Sequence, residues 1–144
     1  MPALDRSLIQ SLSVFSAMGD AELDDVVRHA TALRTPKGCA VFEQGERAKA
    51  FYVLLNGRLK VVKVTPDGQQ VVIRFVVPGD IYGIAKAINR EDYPATATAL
   101  IDSVTLAWDM AIWDDFMARH PSFARNVMQM MGQRISQTSF SKMA

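Results

Sequence analysis

The chain has 144 residues, enough for one domain with a substantial core. With 49% hydrophobic and 22% charged residues it is not intrinsically disordered, and no apolar run approaches the ~18–20 residues of a bilayer span. A net charge of +1 does not point to a nucleic-acid-binding surface, and the single cysteine, Cys39, excludes an internal disulfide and any cluster that needs several thiolates.

The N-terminal run MPALDRSLIQSLSVF carries Asp5 and Gln10 where a signal peptide needs an unbroken apolar core. A cytoplasmic protein without membrane contact is expected. Apolar Leu4, Leu8, Leu12 and Phe15 recur at steps of three or four, a weak helical pattern. Asp20 then reads as the N-cap of an acidic helix with Leu23, Val26, Val27 and Ala30 on one face, ending near Thr31.

From Ala32 to Met110 the pattern changes to β. Glycine recurs at 38, 45, 57, 68 and 79, as turns between short strands require. Asn56-Gly57 between FYVLL and RLKVVKV predicts a tight two-residue hairpin, and Thr65-Pro66-Asp67-Gly68 predicts a second turn. Val71, Ile73, Phe75 and Val77 alternate with their neighbours, as do Ala95, Ala97, Ala99 and Ile101, and then Val104, Leu106 and Trp108. Period-two patterning of this kind puts one face in and one face out. About eight such strands with Gly-rich turns predict a mainly β fold, a sandwich or jelly roll with flanking helices. Cys39, at a predicted strand start, reads as a small buried apolar residue.

Residues 111–119 predict a short helix closed at His120-Pro121, with Pro121 opening the next helix at its first position. That helix continues to about Lys142. Ala124, Met128, Met131, Ile135 and Thr138 form a short heptad seam on it, flanked by the further apolar residues Val127 and Met130. Such a stripe fits a helix packed on its own β domain and a helix packed on its twin; because it is wider than one contact face requires, a dimer helix is the expectation. Beyond Asp115 the charged side chains are Arg119, Arg125, Arg134 and Lys142, so this segment is basic on a neutral body.

The run KGCAVFEQGERAKAFYVLLNGRLKVVKVTPDGQQVVIRFVVPGDIYG resembles the cyclic-nucleotide-binding-like sensor domain of the Crp/Fnr family of bacterial transcription regulators. The matching features are Gly38, Glu43-Gln44-Gly45, Phe51-Tyr52-Val53-Leu54 before Gly57, Pro66-Asp67-Gly68, Pro78-Gly79-Asp80 and Tyr93-Pro94-Ala95-Thr96-Ala97. The resemblance implies an eight-stranded β-roll (a double-stranded β-helix), a short helix after Gly83 and a long C-terminal dimerisation helix. It divides the chain into helices and sensor roll at 1–119 and dimer helix at 120–144. The family's helix-turn-helix DNA-binding domain is not among the 144 residues, so an excised sensor domain or a stand-alone relative is expected.

In nucleotide-binding members, the resemblance implies a phosphate cassette after Gly83: a Glu for the ribose, then an Arg and a small hydroxyl residue for the cyclic phosphate. Here Ile84 stands at the Glu position, and Tyr93 and Pro94 stand where the Arg and hydroxyl residue precede Ala95. The expected pocket positions are therefore Gly83, Ile84, Ala85, Tyr93, Pro94 and Ala95. Burying a phosphate there without a cation is strongly unfavourable, which disfavours cyclic AMP. One cysteine also excludes the oxygen-sensing iron–sulfur cluster. Relatives lacking both features include haem-using sensors of nitrogen oxides, which this chain resembles in that double absence. The candidate axial ligands are His29, on the acidic helix, and His120, at the helix junction; isolated histidines of this kind more often serve as surface or structural residues.

No catalytic constellation is visible. A cupin metal site would need several histidines on the strands, and His29 and His120 both fall outside the β stretch. No Gly-x-Ser-x-Gly elbow, phosphate loop or His-Glu-x-x-His is present. The resulting expectation is a non-enzymatic, ligand-sensing regulatory domain. Its expected partners are a second copy, a small-molecule effector, and DNA only through a domain outside these residues. The alternative is an interaction module of the same fold without ligand.

Overall fold

A computed structural model describes residues 5–143, with side chains described from 5 to 132. The eight strands are β1 (Thr31–Thr35), β2 (Ala40–Phe42), β3 (Ala50–Asn56), β4 (Leu59–Val64), β5 (Gln70–Val76), β6 (Ile81–Tyr82), β7 (Thr96–Ala99) and β8 (Ser103–Asp109). They form two four-stranded antiparallel sheets, in the orders β1-β8-β3-β6 and β2-β7-β4-β5. This is the expected jelly-roll class. The helices are α1 (Asp20–Arg28), α2 (Trp113–Arg119) and α3 (Pro121–Met143), and among the described residues none is long and apolar enough to cross a membrane.

Two compact units emerge. One is His29–Trp113, the roll; the other joins the stretch ending at Arg28 to that beginning at Asp114. In the roll, Phe51 stacks on Trp108 with centroids 5.6 Å apart and meets Trp113 edge-on at 4.9 Å. Val53, Leu54, Leu59, Val76, Ile81 and Leu106 are fully buried around them.

The turn chemistry at Asn56-Gly57 was expected to make a hairpin, but β3 and β4 lie in different sheets and do not pair. Gly57 instead carries the chain from one sheet to the other. Its φ is +110°, and a Cβ there would sit 2.1 Å from Ser103 Oγ, the atom that accepts from the Arg58 N–H at 3.2 Å. The close approach requires glycine. The second turn is a true hairpin. It joins β4 to β5, with Gly68 N–H donating to Thr65 O at 2.9 Å and Thr65 N–H to Gln69 O at 2.9 Å.

Alternation along β5 does not produce one buried face. Val71, Val72, Ile73 and Phe75 are 43–52% exposed and only Val76 is buried, because β5 is the outer strand of its sheet. On β8 the opposite holds: Thr105 and Ala107 are buried along with Leu106 and Trp108, since the strand lies between β1 and β3. Ile101 falls past the end of β7 and is exposed. Cys39, expected buried, is exposed in the turn before β2, where its N–H donates to Pro36 O at 3.0 Å.

In the helical unit, the expected helix over Leu4–Phe15 is replaced by two 3₁₀ turns, Arg6–Leu8 and Ser13–Phe15. Asp5 caps the first through Ser7 N–H at 2.9 Å, and the buried side chains are Ile9, Val14 and Phe15 rather than one helical stripe. Helix α1 starts with Asp20 as its first residue, not as its cap; Gly19 precedes it and its N–H points to Glu22 Oε1 at 3.4 Å. It ends at Arg28, three residues early, because β1 takes Thr31 onward, and His29 lies exposed just past it. Leu23, Val26 and Val27 are buried as expected.

Helix α3 packs through Phe123, Asn126 and Val127. Phe123 stacks on Phe15 at 5.9 Å, and Asn126 Nδ2 donates to Val14 O at 3.0 Å and Ser16 O at 2.8 Å. The heptad seam lies off this face: Met128 is 67% exposed, and Ala124 and Met131 are half-buried. Ile135 and Thr138 fall outside the described side chains.

Candidate functional site

Strand β6 delivers the chain to Gly83, whose φ of +69° turns it into Ile84 and the 3₁₀ turn Ala85–Ile88. A Cβ at Gly83 would meet Tyr52 Cδ2 at 2.8 Å and Phe42 Cε2 at 3.1 Å, so two rings already occupy the space beside this glycine. Tyr93, entering from the other end of the loop, lies flat on Phe42 with centroids 3.9 Å apart. Tyr52 and Tyr82 stack at 5.2 Å, and Phe42 contacts them at 5.7 and 6.1 Å. All four rings are buried.

Their hydroxyls are committed. Tyr93 O–H donates to Ala50 O at 2.6 Å, and its oxygen lies 3.3 Å from Ala50 N and 3.4 Å from the Tyr52 hydroxyl. Tyr82 O–H donates to Thr105 Oγ1 at 2.7 Å, and the Thr105 O–H in turn donates to Val53 O at 2.9 Å. Burial pushes all three phenols up from their ordinary value; the Tyr52–Tyr93 hydrogen bond adds to this for Tyr52, and the bond to Thr105 opposes it for Tyr82. The rings therefore stay neutral.

Of the six expected pocket positions, Gly83 and Tyr93 are brought together on this aromatic cluster. Ala85 and Ala95 are buried, and Ile84 and Pro94 are half-buried. Phe42, Tyr52 and Tyr82 were not foreseen as site residues; β3 buries four consecutive residues, Phe51 to Leu54, so alternation along the strand does not single out Tyr52. Arg74 Nη2 bonds Asp80 Oδ2 at 3.2 Å, and Arg90 bonds Asp92 Oδ1 at 3.1 Å on the surface. Chemically, the cluster offers aromatic faces and neutral dipoles, and no fixed positive charge of its own. It suits an uncharged contact and penalises a phosphate.

His120 belongs to a different network, in the helical unit. It is 4% exposed, and its Nε2 lies 2.7 Å from Asp25 Oδ2, which also accepts from Arg119 at 2.6 Å. Arg28 completes the pairing on Asp25 Oδ1, and Phe116 meets the imidazole edge-on at 5.5 Å. With Nε2 held by a carboxylate and Nδ1 buried 3.5 Å from Glu22 Oε2, this imidazole does not fit an axial haem ligand. His29 is an exposed residue after α1.

Residues 32–120 match the cyclic nucleotide-binding domain family. The chain is 26% identical over 114 residues to the fumarate and nitrate reduction regulatory protein of Yersinia pestis, covering 79% of this chain and 44% of that protein. It is 17% identical over 132 residues to the CRP-like cAMP-activated global transcriptional regulator of Mycobacterium tuberculosis, covering 92% and 59%. It thus spans about half the length of these curated relatives. Among solved structures, the sensor domain of the transcriptional regulator DNR from Pseudomonas aeruginosa superposes with a TM-score of 0.77 at 25% identity, covering 92% of this chain and 89% of that one. The Thermus thermophilus catabolite activator protein gives 0.78 at 21%, covering 90% and 61%. With its roll and its turn after Gly83, the chain belongs to the cyclic nucleotide-binding domain family, and its relatives include regulators of the Crp/Fnr kind.

Proposed function

We propose that the chain is the effector-sensing part of a Crp/Fnr-type transcription regulator, regulatory rather than catalytic, and that its effector is not a cyclic nucleotide. One observation carries this reading: Phe42, Tyr52, Tyr82 and Tyr93 fill the place beside Gly83 with neutral rings. An effector acting here displaces or rotates Tyr93 and contacts the roll through uncharged groups. The change then passes along the chain through α2 to α3, which pairs with a second copy through Ala124, Met128, Met131, Ile135 and Thr138. DNA binding belongs to a segment outside these residues.

The closed interior also favours a second reading, an interaction module of the same fold that takes no ligand. Amide NMR separates the readings. Cyclic AMP leaves the signals of Gly83, Ala85 and Ala95 in place under both. A screen of neutral aromatic compounds moves them if the domain senses a ligand and leaves them unmoved if it does not. Shifts caused by cyclic AMP at these three residues would overturn the proposal.

A further inference from the structure

On the outer surface of the roll, three segments are stitched into one groove. The loop between β2 and β3 runs antiparallel to the loop before β7: Ala48 N–H donates to Glu91 O at 2.8 Å, Tyr93 N–H to Glu46 O at 2.9 Å, and Arg47 bridges Asp92. Residues two apart on such a ladder share a face, which sets Arg47 and Lys49 side by side. Met110 N–H donates to Lys49 O at 2.7 Å and brings in the end of β8. Across the groove, Asn89 takes the left-handed conformation (φ +59°) and returns the chain so that Arg90 N–H reaches Ala85 O at 3.0 Å, placing Lys86 and Arg90 on the same lining.

The groove encloses about 810 Å³, within the range of small-molecule sites. Its lining carries four cations, Arg47, Lys49, Lys86 and Arg90, against two carboxylates, Glu91 and Asp109. Asp109 is already occupied as the cap of Ala111 N–H at 2.9 Å. The Arg90–Asp92 pair is exposed and readily exchanged for a ligand anion. The lining side chains sum to +2, and to +1 once Asp92, the partner of Arg90, is counted with them. Glu91 and Asn89, also on the lining, can bond hydroxyl or amino groups.

We propose that this groove is a ligand site, separate from the roll interior, for a small multiply charged anion of the phosphate class. It stands whether or not the interior takes an effector. The test is calorimetry on the whole chain at low salt with inorganic pyrophosphate and with fructose 1,6-bisphosphate. Saturable binding below about 5 mM is expected, weakened about tenfold in Arg47→Gln/Lys49→Gln and unchanged in the exposed control pair Lys37→Gln/Lys63→Gln. Circular dichroism verifies that both variants fold. Tighter binding of the bisphosphate assigns the site to an organic phosphate, and tighter binding of pyrophosphate to an inorganic one. Absence of saturable binding, equal weakening by the control pair, or tighter binding of duplex DNA through the same residues would overturn the proposal.

Discussion

Tyr93 lies 3.9 Å, centroid to centroid, from Phe42, and its hydroxyl is bonded to Ala50 O at 2.6 Å. The position where a nucleotide-binding relative is implied to hold an arginine thus holds a ring already stacked and already hydrogen-bonded. Offset stacking of such pairs contributes ~0.5–1.5 kcal/mol beyond area burial, so an incoming ligand must displace a stable arrangement.

The chain's three tyrosines all belong to this cluster. Because burial raises each phenol, the folded state favours the neutral form, and the stability this contributes is present below the unfolded value of about 10 and lost as pH rises past it. Spectrophotometric titration is therefore expected to show little tyrosinate at about pH 10.5, where exposed tyrosine is mostly ionised. Tyrosinate appears together with the loss of sheet signal by circular dichroism. Gradual ionisation near the ordinary value with the fold intact would mean that water reaches the rings.

Gly57 and Gly68 both have positive φ, but only Gly57 is crowded. Gly68→Ala should cost about 1–2 kcal/mol, the left-handed strain alone. Gly57→Ala adds collision with Ser103 and should cost a further ~1–3 kcal/mol. Urea midpoints of the two variants give the comparison; equal losses would contradict the sheet-to-sheet role of Gly57.

Asp25 supplies an acid-sensitive tie between α1 and His120. Burial pushes its carboxyl up, but the hydrogen bond with His120 and the charge of Arg119 outweigh burial and hold it below the ordinary value. Its stabilisation is present above the unfolded value of about 3.9 and lost as pH falls through the lower folded value. Wild type should lose stability across that window. Asp25→Asn should be less stable at pH 7 by about 1 kcal/mol or more and show a flatter acid limb. Parallel urea-midpoint profiles from about pH 5 to about pH 2 would contradict this.

What was legible in the sequence is what local chemistry decides. Thr65-Pro66-Asp67-Gly68 specifies its own reversal, and the β4–β5 hairpin follows it. Asn56-Gly57 also specifies a reversal, but which strand β4 then joins depends on β5 and β7, and on Ser103, far along the chain. The apolar alternation of β5 was readable, whereas its outer position and exposure were not. For the site, Gly83 and Tyr93 were reachable from their motifs. The rings that close the space, Phe42, Tyr52 and Tyr82, meet only through the pairing of β3 with β6 and the packing of β2 over them. Asp25 and His120, 95 residues apart, leave no local signal.

The proposed dimer has its own test. Phe123, Asn126 and Val127 serve the intramolecular face of α3, which leaves Met128 exposed and free for a partner helix. Met131→Glu/Ile135→Glu places like charges in an isologous seam and should convert a dimer into monomers in sedimentation, with the sheet spectrum unchanged. A double variant that still sediments as a dimer would assign the seam to packing within one chain.

The most direct measurement is a calorimetric titration of the chain with cyclic AMP. A charged hydrogen bond is worth ~1.5–3 kcal/mol, and Ile84 and Tyr93 replace at least two such groups, which would carry a micromolar site from about −8 kcal/mol to between about −5 and −2 kcal/mol, a dissociation constant of roughly 0.1 mM or weaker. The account predicts no saturable heat below about 0.1 mM. A micromolar dissociation constant would contradict it, because Phe42 and Tyr93 would then have to part for a phosphate.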